Sequence, residues 1–163
     1  MRQSVKILVI LVIVAVAALV AATQGVGQGN RPAFAHSDLT IVKADGSKIA
    51  FAVEVASTPA EQSYGLMFIH SLADNKGMIF PSQPPREVAF WMKNTLIPLD
   101  MLFIRPDHTI GRIVANAKPE DLTPIPSQMP VIAVIEIKGG MASQKGLAVG
   151  DKIQTPVLDA LSP

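Results

Sequence analysis

The chain contains no cysteine, and only three histidines, one tryptophan and one tyrosine among 163 residues. The absence of cysteine excludes disulfides, thiolate metal sites, a thiol nucleophile and a lipidated cysteine behind a signal. His36, His70 and His108 have neither H-x-H nor H-E-x-x-H spacing, so neither a zinc site nor any other cofactor is implied. Aromatics make up 5% of the chain, too few for an extended stacking platform. A G-x-S-x-G elbow is missing, and Gly25, Gly27 and Gly29 have neither a domain strand before them nor a helix after them. Basic runs are also missing. Of the 14 Lys+Arg, Arg2 and Lys6 precede the first apolar run, which leaves 12 against 13 acids. That near-neutral balance argues against nucleic acid as a partner.

Residues 7–22 are sixteen apolar residues without a charge, and no acid occurs before Asp38. A basic start followed by a short apolar core reads as a secretory signal. As a helix it would span roughly 24 Å, short of a ~30 Å hydrocarbon core, which favours residues 1–22 as a signal peptide, with an uncleaved anchor as the alternative. The expected location is therefore periplasmic or extracellular, with membrane contact only through residues 7–22. Residues 23–37, rich in Gly, Gln and Asn, read as a flexible leader. Residues 38–163 are long enough for one core-stabilised domain.

Within that domain the period-2 pattern dominates. Ile49, Phe51, Val53 and Val55 share one face of a strand, and Asp45-Gly46 before it suits a two-residue type I′ hairpin turn. Thr58-Pro59-Ala60-Glu61 is a capping box, which predicts a helix from about Pro59 to Tyr64. Met78-Ile79-Phe80 starts a short strand, and the prolines of 81–85 predict a loop after it. Residues 87–92, 99–104, 110–115, 131–137 and 152–154 read as strands, 141–145 as a helical turn, and the proline-rich 118–130 as a long loop suited to covering a site. The expected fold is mainly β: a barrel-like or strongly bent antiparallel or mixed sheet with one or two short helices.

The segment from Phe90 to Asp100 stands out. It holds the only tryptophan, a polar triplet Lys93-Asn94-Thr95, and a carboxylate, Asp100, set between Leu99 and Met101. One reading is a turn between two strands. The other is a ligand pocket in which Trp91 supplies an apolar wall and Lys93, Asn94 and Thr95 supply donors. Asp100 would fix their geometry, with Lys93 or the turn backbone as its partner, because a buried carboxylate must be hydrogen-bonded. Glu54 and Glu136 are further acids inside apolar strands and possible neighbours, although each also suits a solvent-facing position. A small molecule or an envelope protein would be the partner. Two alternatives stand beside this binding domain. The first is a hydrolase using Asp100 with Glu54 or Glu136, which needs both carboxyls in one cleft. The second is a structural or accessory envelope protein.

Several of these segments recur together in a known order. Val53-Glu54-Val55-Ala56, Gly65-Leu66-Met67-Phe68, Gly77-Met78-Ile79-Phe80, Phe90-Trp91-Met92-Lys93-Asn94-Thr95, Pro98-Leu99-Asp100, Ile135-Glu136 and Gly150-Asp151 resemble the uncharacterised family called domain of unknown function 192. The resemblance covers about residues 38–155. It implies a compact, mostly β domain, often behind a signal peptide, and no established reaction. The chain departs from the family's usual Arg or Tyr at His70.

Overall fold

The computed structural model describes residues 31–161. The signal and the first part of the leader lie outside the described residues. Among the described residues, no helix is long and apolar enough to cross a membrane.

The chain runs β1 (Ala35–Val42), β2 (Lys48–Val55), α1 (Pro59–Tyr64), β3 (Lys76–Arg86), β4 (Ala89–Phe90), β5 (Leu99–Ile104), β6 (Ile110–Ala117), β7 (Ile125–Pro126), β8 (Val131–Lys138), α2 (Met141–Gln144), β9 (Lys152–Gln154) and α3 (Pro156–Asp159). Seven strands form one mixed sheet in the order β6-β5-β8-β3-β2-β1-β9. Its pairs are antiparallel except β2 with β3, which run parallel with α1 between them. The sheet curls until its outer strands approach each other. Thr109 bridges Lys152, and the Ile153 N–H donates to the His108 carbonyl at 2.8 Å. The expected bent, mainly β architecture is therefore observed.

Alternation sorts the core into two clusters, one on each face of the sheet. One draws on all seven strands and includes Leu39, Ile41, Phe51, Val53, Ile79, Leu102, Ile104, Ile110, Ile135 and Ile153. The other packs Met78, Phe80, Met101, Phe103 and Val134 against Leu66, Met92 and Phe34.

Four local expectations are revised. The β1–β2 connection is a three-residue loop. The Gly46 N–H donates to the Lys43 carbonyl and the Lys43 N–H to the Ser47 carbonyl, both at 2.9 Å, and of the pair only Gly46 has positive φ. This is a type I turn closed by a left-handed glycine, not a type I′ turn. β1 starts at Ala35, so the sheet takes in the end of the stretch read as leader, where its cross-strand partners begin at Val55. β3 continues through the prolines to Arg86, with a register break between Pro81 and Arg86 that absorbs the missing donors. Of residues 87–92 only Ala89–Phe90 form a strand, and its partner is β7 inside the proline-rich loop. The capping-box helix is as expected: the Glu61 N–H donates to Thr58 Oγ1 and the Thr58 N–H to Glu61 Oε2.

Candidate functional site

Asp100 is fully buried, and its partners are three backbone amides. Between Leu99 and Met101 of β5, the facing β6 carries an extra residue, so Asn116 leaves the ladder at φ 51°. Its N–H donates to Asp100 Oδ1 at 2.8 Å. The Gly140 N–H donates to the same oxygen at 3.0 Å, and the Ala142 N–H donates to Oδ2 at 2.7 Å. Gly140 is the N-cap of α2 and has no side chain to cap it. Asp100 supplies that cap from a neighbouring strand. This replaces the expected pairing with Lys93 or the adjacent turn, and it removes Asp100 from the pocket.

Register places the other two acids. Glu54 faces Met78, Met78 faces Glu136, and Glu136 faces Met101, so these four form one row across β2, β3, β8 and β5. Two strand spacings put the Glu54 and Glu136 Cα atoms about 10 Å apart. Glu54 is half-buried, whereas Glu136 is buried, contrary to the solvent-facing reading. No hydrogen bond or ion pair among the described residues relieves Glu136, and burial alone pushes its carboxyl up to about 8.

Glu136 reaches a cavity of about 340 Å³, also lined by Gln62, Tyr64, Met67, Phe80, Phe90 and Trp91, with Arg86 and Lys93 at its edge. Trp91 is 52% exposed and marks the mouth, and Glu136, at 5%, lies at the base. α1 supplies one wall. Gln62 on that helix donates from Nε2 to the Ala56 and Pro81 carbonyls, at 3.2 and 2.8 Å, which ties the helix to β3. Lys93 Nζ sits 5.4 Å from the Trp91 ring centroid. Thr95 is buried at the wall, with its hydroxyl donating to the Lys93 carbonyl at 3.3 Å.

The structure therefore brings together Trp91, Lys93, Thr95 and Glu136. Glu54 and Asp100 do not line the cavity. Asn94 is not among the lining residues but supports one of them: its Nδ2 donates to Met67 Sδ, and its backbone takes φ 54°. The paired carboxylates that a hydrolase would need are not assembled, because Glu136 is the only acid among the lining residues. The proline-rich loop does not form a lid. It braces the Trp91 segment through Met92 N–H to the Asp121 carbonyl (2.9 Å) and Glu120 N–H to the Thr95 carbonyl (3.1 Å). The Phe68 N–H donates to the Asn94 carbonyl at 2.9 Å, so three loops meet here. Each contributes a non-glycine residue with positive φ at the junction: Phe68, Asn94 and Glu120. Such backbone costs about 1–3 kcal/mol per residue and gathers at binding sites. The same loops carry the exposed side chains of Phe68, Trp91, Leu96 and Leu122.

Sequence reasoning missed Tyr64, Phe80, Arg86 and Phe90 as lining residues. The available signal was the set of motifs behind the family resemblance. Gly65-Leu66-Met67, Phe80, Phe90-Trp91, Lys93, Thr95 and Glu136 all belong to those motifs, and all converge on this cavity. A second cavity of about 750 Å³ lies on the other side of Pro59, Gln62 and Arg86, where the buried Ser82 hydroxyl has no hydrogen-bond partner.

A strongly curled mixed sheet, capped by one short helix and bearing one buried carboxyl in an aromatic cavity, defines a small mainly β domain. The sequence profile of domain of unknown function 192, described as an uncharacterized ACR, matches residues 40–155, and the chain belongs to that family. No curated protein matches the sequence. It is similar to the crystal structure of a Sinorhizobium meliloti protein described as a candidate transcription regulator, at 36% identity and TM-score 0.74, covering 76% of this chain and 96% of that one. A protein of unknown function from Novosphingobium aromaticivorans is similar at 45% identity and TM-score 0.69, covering 72% of this chain and 83% of the other.

Proposed function

We propose that the protein is an exported small-molecule-binding domain whose ligand occupies the cavity between Trp91 and Glu136. One observation carries this reading: the Glu136 carboxyl, 5% exposed and without a hydrogen-bond partner among the described residues, faces an aromatic-lined space of about 340 Å³. Burial weakens the solvation of that carboxyl, so a ligand donor placed against it gains a hydrogen bond at little desolvation cost to the protein. Apolar walls with one convergent polar group are the usual composition of a small-molecule site. The strained three-loop junction at the mouth supports the same reading, because it holds Trp91 half-exposed and firmly placed. Export rests on the charge-free run of residues 7–22 behind Arg2 and Lys6.

The test is a metabolite screen on the full chain, read by thermal shift and by the fluorescence of its single tryptophan. Ligands of this cavity are expected to perturb Trp91 emission and to lose affinity in Trp91→Ala, and those that place a polar group on the Glu136 carboxyl are expected to lose it in Glu136→Gln as well. A screen whose hits bind both variants as they bind the parent protein overturns the assignment. Fractionation of the native host, with the protein found only in the cytoplasm, overturns the export half.

A further inference from the structure

Resting on the reading of the cavity as a ligand site, we propose that it takes an alkylammonium group: a cationic nitrogen seated against the Glu136 carboxyl among the rings of Tyr64, Phe80, Phe90 and Trp91. The lining chemistry leads to that class by elimination. A metal ion would need several hard or imidazole donors, and no group of three or more His, Cys, Asp or Glu that could hold one occurs among the described residues. A polyol would need an array of hydrogen-bond partners. At the buried end of the cavity two such groups are committed inside the protein: the Gln62 amide donates to Ala56 and Pro81, and the Thr95 hydroxyl donates to Lys93, which leaves Ser63, Arg86 and Lys93 as exposed polar groups nearer the mouth. What remains at the base is one acceptor, the Glu136 carboxyl, surrounded by rings.

An alkylammonium is satisfied by that combination. Its N–H groups, or its polarised methyls, meet a single carboxylate, and its remaining surface meets aromatic π-faces. The protein already shows this affinity at the mouth, where the Lys93 ammonium rests over Trp91. Taking up a cation also resolves the state of Glu136. Burial alone holds its proton on, and an arriving ammonium would displace that proton to solvent and form the ion pair. The cavity has room for roughly ten water volumes, enough for an ammonium carried on a ring or a short chain. Arg86 and Lys93 are both exposed, so their repulsion of a cation is screened by solvent. In a zwitterion they would instead receive the ligand's carboxylate.

The experiment is isothermal titration of the full chain with 2-phenylethylamine, its neutral counterpart 2-phenylethanol, and phenylalanine. The amine is expected to bind at least about tenfold more tightly than the alcohol, a difference of about 1.4 kcal/mol. Glu136→Gln should erase that advantage and leave the alcohol's affinity unchanged. Amine binding should also release a proton, visible as heats that differ between buffers of different ionisation enthalpy. A free amine and a zwitterion are distinguished by phenylalanine: tighter binding than the amine, lost in the double variant Arg86→Gln, Lys93→Gln, identifies a zwitterion, and equal or weaker binding identifies the free amine. Amine and alcohol binding equally, with both weakened by Trp91→Ala, overturns the ammonium proposal and keeps the pocket. No binding by any of the three overturns the ammonium proposal, and screen hits on the same cavity would then keep the pocket reading alone.

Discussion

Asp100 and Glu136 lie on neighbouring paired strands, one residue apart in register, and therefore face opposite sides of the sheet. Asp100 pairs with Ile137, and Glu136 pairs with Met101. Cross-strand partners share a face and successive residues alternate, so the two carboxyls cannot meet. Their environments differ accordingly. Asp100 is held by three backbone amides and fastens α2 to the sheet, whereas Glu136 has no hydrogen-bond partner among the described residues and opens on a cavity. One acid serves the fold, and the other is available to a ligand.

Asp100→Ala is expected to destabilise the domain by about 3–5 kcal/mol, because it leaves the buried amides of Asn116, Gly140 and Ala142 without an acceptor. Asp100→Asn keeps one acceptor oxygen and should lose less. Urea denaturation of the three proteins measures the difference. A loss below about 1 kcal/mol for the alanine variant would contradict the capping role.

Glu136 makes stability depend on pH in the unliganded protein. Its carboxyl titrates near 4.5 when unperturbed and is pushed up to about 8 in the fold. Between those values the folded state keeps a proton that the unfolded state has lost. Stability is therefore fully present below pH 4.5 and falls as pH rises through about 8, by up to roughly 5 kcal/mol in total. Glu136→Gln should flatten that slope and be more stable than the parent at pH 8. Urea midpoints for both proteins at pH 5, 6.5 and 8 provide the check, and parallel pH profiles would contradict the buried state of Glu136.

Gly77→Ala should destabilise the sheet by about 1–3 kcal/mol or more. Its new Cβ would lie 2.4 Å from the Glu136 carbonyl oxygen, so β3 and β8 must separate at the residue that forms the pocket base. Gly46→Ala meets nothing within 4 Å and suffers only from its φ of +82°, about 1 kcal/mol. Thermal unfolding of the pair, with the Gly77 variant losing more, is the expected outcome.

Thr58→Ala removes the Oγ1 acceptor of the capping box and should cost about 1 kcal/mol. Because α1 carries Gln62 and Tyr64 into the cavity wall, the same variant should also weaken any ligand read through Trp91. Hydrogen exchange of residues 59–64 would locate the loss on this helix.

Local chemistry was legible wherever it was local. The Thr58–Glu61 capping box spans four residues, and the helix runs from Pro59 to Tyr64 as expected. The apolar runs of β5 and β8 needed no partner to be read as strands. What the sequence concealed depends on distant pairing. The partners of Asp100 come from 16, 40 and 42 residues further along, and the bulge that frees Asn116 exists only once β5 and β6 are aligned. Period-2 alternation puts Glu136 on the face of Val134, but only register shows that this face carries Met78, Met101 and the cavity. The same limit applies to β4, two residues long, whose partner lies inside a loop defined by its prolines.

The closure at Thr109 and Lys152 has a kinetic meaning. The sheet's two outer strands meet through Thr109 and Lys152, and β9 also seals β1, the first strand among the described residues. Folding must therefore wait for contacts of very high sequence separation, which places the domain among slow folders. Everything from Ala35 to Gln154 must be available before the fold can close. Until then the chain remains an open ribbon with both edges unpaired.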